Sequence, residues 1–158
     1  MGLGRARVAN LPGRVAAGAF ILNAGVGILR SDSEAAERVH AMAAGAYPML
    51  KGIDAQRFAR MLGASEVVIG GALLCPVVGD GVAGSALAGF AGGLLGLYLK
   101  TPGLRVDGSV RPSQKGMSVA KDIWLLGMGC SLLADSLHHS LHRRRARLRR
   151  SSGDKPLP

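Results

Sequence analysis

Glu66 is the only charged residue between Met61 and Gly79, in a run of glycine and aliphatic side chains. A carboxyl among apolar neighbours has two uses: it anchors a donor or cation on another helix, or it exchanges a proton or contacts a solute. Gly70, one turn further on, leaves room for a helix or ligand to approach it, and Arg14 and Lys121 are the cations expected to pair with it. Asn23 interrupts the uncharged run from Val15 to Leu29 and can hydrogen-bond across a helix interface. Asp135, His138 and His142, with His139 beside them, recur at helical spacing, so one face could offer carboxylate and imidazole to zinc or iron. No fourth ligand accompanies them and the arginines beyond repel cations, so the simpler expectation is a wet helix end and no metal. Cys75 and Cys130 lie in apolar runs without CxxC spacing and read as small hydrophobes. No P-loop, dinucleotide-binding glycine fingerprint, Ser-His-Asp pattern or HExxH occurs, and no cofactor is evident.

The elements that must hold these residues follow from the spacing of charges. The chain has 158 residues, of which 48% are hydrophobic, 24 are glycine and only 4% are aromatic, with a formal charge of +10. No glycine period exists, which excludes collagen, and the long uncharged runs exclude disorder over most of the length. A helix needs about 20 mainly apolar residues to cross a bilayer. Four windows approach this, predicting spans at about 12–30, 57–79, 81–99 and 117–141. The first is short, but Arg14 and Arg30 can snorkel to the two surfaces. A secretory signal with Arg5, Arg7 and Arg14 as its basic part is disfavoured, because no cleavage motif precedes the charged stretch Arg30 to Glu37. The expected fold is therefore all-α: an integral membrane bundle of four transmembrane helices in a single domain, 1–142.

In the first loop Ser31 and Glu34 predict a capping box, followed by a short interfacial helix that stops at Tyr47-Pro48. Asp54 predicts the cap of the second span, and Gly79-Asp80-Gly81 a tight turn between spans two and three. Tyr98 and Trp124 suggest an aromatic belt at one face, which would place Asp135 roughly 16 Å further along the fourth helix, inside the hydrocarbon. The competing register starts that span near Gly116, buries Lys121 and Asp122 together, and brings Asp135 to the far surface. Gly89 with Gly93 and Gly92 with Gly96 form two GxxxG registers, expected at a close helix contact within the bundle or with a protein partner or second copy. Residues 143–158 read as a disordered tail, with six arginines in the eight positions after His142. Next to a span this run favours anionic lipid headgroups over nucleic acid and places both termini in the cytoplasm of an inner-membrane protein.

The wording of several stretches adds a family. Arg14-Val-Ala-Ala-Gly-Ala-Phe-Ile-Leu-Asn, His40-Ala-Met-Ala-Ala-Gly-Ala-Tyr-Pro, Glu66 in a Gly-rich span, Leu97-Tyr-Leu-Lys-Thr-Pro-Gly, Arg111-Pro-Ser-Gln-Lys-Gly and Ala120-Lys-Asp-Ile-Trp-Leu-Leu-Gly together resemble the DoxX-like family of small four-helix bacterial membrane proteins. The resemblance covers about residues 11–137. It implies an uncharacterised inner-membrane protein whose namesake relative is similar to a subunit of a thiosulfate:quinone oxidoreductase, an activity that does not transfer because no catalytic motif matches. By resemblance, Arg14, Glu66, Lys121 and Asp122 are the polar positions of interest. The expectation is an accessory subunit or scaffold of a membrane redox or stress-protection system, not an enzyme. The alternatives are a small-solute or proton carrier using Glu66 and a quinone-linked oxidoreductase component.

Overall fold

The computed structural model describes residues 8–120 and 122–153, with 118 and 143–153 as backbone. Lys121, Arg5 and Arg7 lie outside the described residues, as do the side chains of the arginine run. The regular elements are helices: α1 (Leu11–Leu29), α2 (Ser33–Ala46), α3 (Ala55–Leu74), α4 (Asp80–Lys100), the single turn α5 (Met117–Ala120) and α6 (Ile123–Gly153). Two are long and apolar enough to cross a membrane, Val8–Leu29 (α1 with the 3-10 turn before it) and Asp80–Lys100.

Local chemistry sets most boundaries. Pro12 lies in the first turn of α1, where its missing N–H is no loss. Helix α2 is capped by Asp32, whose carboxylate accepts from Ala35 N at 2.8 Å. Ser31, expected in that role, instead donates its hydroxyl to Ile28 O at the end of α1, 2.7 Å away. Asp54 caps α3 as expected, accepting from Arg57 N. Helix α3 then stops at Leu74 and not at 79, because Pro76 drives Cys75 out of the helical region, to φ −80 and ψ 114. The connection to α4 is thus 75–79, and Asp80 opens the helix instead of sitting in a turn. Where a fourth span is expected, α5 and α6 are separate helices, and the backbone of α6 continues past His142 to Gly153, where a disordered tail is expected.

Packing divides the molecule into two antiparallel pairs, α1 with α3 and α4 with α6, while α2 lies across α3 and α4. The pairs share one core in which Ala17 and Ile21 of α1 and Leu73 of α3 meet Ala83, Leu87 and Ala91 of α4 and Leu125 and Leu132 of α6. Glycines decide how closely helices approach. Gly18 opposes Gly70 and Gly25 opposes Gly63, so that a Cβ on Gly70 would stand 2.7 Å from Leu22 N and one on Gly25 2.7 Å from Gly63 O. In the second pair Gly84 faces Leu132 and Gly129 faces Ala88. Of the glycines in the two GxxxG registers, Gly89, Gly92 and Gly93 have open space within this chain where a side chain would go. Gly96 makes room for Tyr47, whose hydroxyl donates to Gly93 O at 2.8 Å and whose ring carries Lys100 Nζ 4.7 Å from its centroid.

Candidate functional site

The most concentrated polar chemistry lies where α1 begins, α3 ends and α4 begins. Arg14 is fully buried, at 0% exposure. Its Nε donates to Leu73 O at 2.9 Å, Nη2 donates to Ala72 O at 2.9 Å and Cys75 O at 3.0 Å, and Nη1 donates to Asp80 Oδ1 at 2.7 Å. The carbonyls closing α3 lack partners within their own helix, so the guanidinium supplies donors that the helix's end before Pro76 removes. Its charge also stands at the negative end of the α3 dipole, and Asp80 at the positive end of α4, so both helices favour the pair. Asn10, the residue before α1, extends the network: its Nδ2 donates to Asp80 Oδ2 and to Asp135 Oδ2, each at 2.9 Å. One contiguous cluster thereby joins α1, α3, α4 and α6.

This arrangement corrects two expectations. Arg14 pairs with Asp80 and not with Glu66, because the end of α3 and the start of α4 lie closer along the bundle than the middle of α3 does. Asp135, expected deep along the fourth helix, bonds the residue that precedes α1 and shares that partner with the first residue of α4, so it lies at the end of the bundle. Tyr98 gives a physical reason for the misplacement. It is buried, with its hydroxyl donating to Val110 O at 2.7 Å, and so forms no outward belt with Trp124, which packs edge-on against Phe20.

The remaining candidates separate. Glu66 is buried at 6% exposure against the Gly25 crossing, and its Oε2 has no hydrogen-bond partner among the described residues. Asp122, at the approach to α6, is close enough to act electrostatically on Glu66. These two are brought together, whereas Lys121 lies outside the described residues. Asn23 is exposed on the outer side of α1, facing no helix of its own bundle. His138 stacks near His142 at 4.4 Å between ring centroids, but Asp135 is turned toward Asn10, and no metal-holding group of three forms among the described residues. Cys130 is exposed and Cys75 contributes only its carbonyl to the clamp.

Asn10 and Asp80 escaped the sequence reading, although a signal existed. In an up-and-down bundle the starts of the first and third spans and the ends of the second and fourth share one face. A charged residue at three of those four positions, Arg14, Asp80 and Asp135, therefore predicts a meeting. Chemically the cluster is a clamp: all three guanidinium nitrogens are engaged by backbone or Asp80, which leaves little of it to bind a substrate. Compared with known family models, with curated proteins and with solved structures, the chain finds no match in any of the three.

Proposed function

We propose that the protein is a multi-pass inner-membrane bundle in which α1, α3, α4 and α5 with α6 all span the bilayer, and that it serves as a non-catalytic accessory subunit or scaffold. The observation that carries this is its inverted polarity. The interior holds Arg14, Glu66 and Asp80, whereas the outer faces hold Val15, Phe20, Val68, Val82, Ile123 and Trp124, with Val68 69% exposed. Water would penalise that outer surface, while lipid is indifferent to it and favours charges turned inward. A clamp fully engaged in holding helix ends supports a structural role more than a chemical one. The DoxX-like resemblance agrees with such a role, in a membrane redox or stress-protection system.

The test is extraction followed by pull-down. The protein should stay in the membrane pellet after alkaline carbonate and carry a stoichiometric partner through mild detergent, and Glu66→Gln should keep that partner. A monodisperse, soluble protein without surfactant overturns the membrane reading, and an isolated protein in detergent overturns the scaffold. Reporter fusions should place both termini in the cytoplasm, as the six arginines after His142 favour.

A second reading rests on the unpartnered Oε2 of Glu66. A buried acceptor without a donor is uncommon in folded proteins, and a small solute or proton passing between the helix pairs would satisfy it. The carrier then shows pH-dependent flux in proteoliposomes that Glu66→Gln abolishes, whereas a scaffold shows none.

A further inference from the structure

Asn23 is the only polar side chain from Val15 to Leu29 and lies close to the middle of that uncharged run. Along the helix axis Arg14 stands roughly 13 Å to one side of it and Arg30 roughly 10 Å to the other. The two sides of α1 differ sharply. Arg14, Ile21 and Gly25 are buried against the bundle, whereas Ala16, Ala19, Asn23 and Gly27, which recur every three or four residues, are exposed on the opposite side. A Cβ on Gly27 would meet nothing within 4 Å, and the Asn23 amide makes no hydrogen bond among the described residues.

In the bilayer proposed above, such an amide is too short to reach either surface, so it gives up its water partners without replacement. The outer face of α4 differs in this respect. Beside Gly89, Gly92 and Gly93 its one hydroxyl, Ser85, already donates to Val82 O at 2.9 Å, so that face leaves no polar group unsatisfied.

We infer that the outer face of α1 is a homodimer interface in which Asn23 of one copy pairs with Asn23 of a second. A primary amide carries both a donor and an acceptor, so two of them satisfy each other reciprocally. Copies of one chain insert the same way up, and a two-fold axis along the bilayer normal therefore brings each Asn23 to its twin at equal depth. A different protein would need a complementary polar group of its own at that depth. Ala16, Ala19 and Gly27 let the backbones approach, and no charge lies on the stripe between Arg14 and Arg30 to oppose the pairing.

The inference rests on the membrane reading, so the test separates the two. Full-length copies labelled with donor or acceptor dye at the C terminus are reconstituted together in phosphatidylcholine vesicles, the vesicles are floated, and energy transfer is followed as added lipid dilutes the protein. Saturable transfer with the stoichiometry of a pair is expected. Asn23→Leu, close to asparagine in volume, should weaken self-association about tenfold, the loss of two interhelical hydrogen bonds. Asn23→Gln keeps a self-complementary amide and should retain most of it. Neither variant touches the bundle, so the melting temperature of the monomer in detergent should hold. Protein that fails to float overturns the membrane reading and the interface with it. Floating protein without saturable transfer overturns the interface alone and leaves Asn23 to a different polypeptide. Undiminished association of Asn23→Leu also overturns it, and loss of association in Gly92→Ala instead would seat the second copy on α4.

Discussion

The two helix pairs solve the same packing problem in different ways. In α1 with α3, glycine faces glycine at two crossings one heptad apart, Gly18 with Gly70 and Gly25 with Gly63, so backbone meets backbone. In α4 with α6 one crossing does this work: Gly84 meets Leu132 Cβ and then the Gly129 carbonyl, and Gly129 meets the backbone N of Ala88. The sharpest difference lies between single positions: an atom added at Gly70 meets backbone alone, of Leu22 and Gly18, whereas one added at Gly84 or Gly81 meets a side chain first, Leu132 Cβ or Ser136 Oγ. The difference teaches where sequence change is tolerated, because an interior relaxes through side chains far more readily than through backbone. Polar groups differ as well. The first pair carries Glu66 within its contact, whereas the second keeps Asp80 and Asp135 at its end, where Asn10 and Arg14 of α1 reach across to them.

Breaking the link between the pairs should have the largest effect. Arg14→Gln leaves Asp80 and the α3 carbonyls buried with fewer donors, and a destabilisation of about 3–5 kcal/mol is expected from removing one partner of a buried ion pair. Thermal unfolding in detergent should show it, and an unchanged melting temperature would mean that the clamp is not what joins the pairs. Next comes Gly70→Ala, whose Cβ meets the backbone of Leu22 and Gly18, with a loss of about 1–3 kcal/mol. Gly81→Ala sharpens the comparison: its nearest neighbour is Ser136 Oγ at 2.7 Å, a hydroxyl that rotates away, so its loss should be the smaller of the two. If the two substitutions are equally harmful, the distinction between backbone and side-chain contacts fails.

Glu66→Gln should leave stability unchanged or raise it by up to about 1 kcal/mol, because it replaces a buried carboxyl whose Oε2 has no donor. A clear loss of stability would show that Glu66 anchors α3 after all. The smallest effect belongs to Gly92→Ala, which meets nothing within 4 Å and improves helix propensity by up to about 1 kcal/mol. Should that variant alter the oligomeric state in detergent, a second copy would be seated on the GxxxG face of α4.

Much of the architecture was legible in the sequence, because charge spacing reports helix length and apolar content directly. The starts of α1 and α4 fall within one residue of their expected places, and Asp54 caps α3 as read. The pairing of polar groups was less legible. Glu66 stands alone in its window and so attracts attention, while Asp80 looked like turn material between two glycines, and only the early stop imposed by Pro76 makes it the first residue of a helix. The GxxxG registers face nothing within the single chain at Gly89, Gly92 and Gly93, for a related reason. Spacing identifies a smooth helix face but not what lies against it. The glycines that set the contacts, Gly18, Gly25, Gly63 and Gly70, recur at seven and not four, so they were hidden by the abundance of glycine.

The clamp also bears on how the polypeptide is assembled. Arg14 is synthesised long before its acceptors, which lie 58 to 66 positions further along. Until α3 and the start of α4 emerge, the guanidinium lacks these acceptors and, in the bilayer proposed above, is better held among headgroups or water than in hydrocarbon. Its capture by those acceptors then draws the start of α1 into place, making the biosynthetic order of the helices a latch that closes only when the second of the four long helices has arrived and the third has begun.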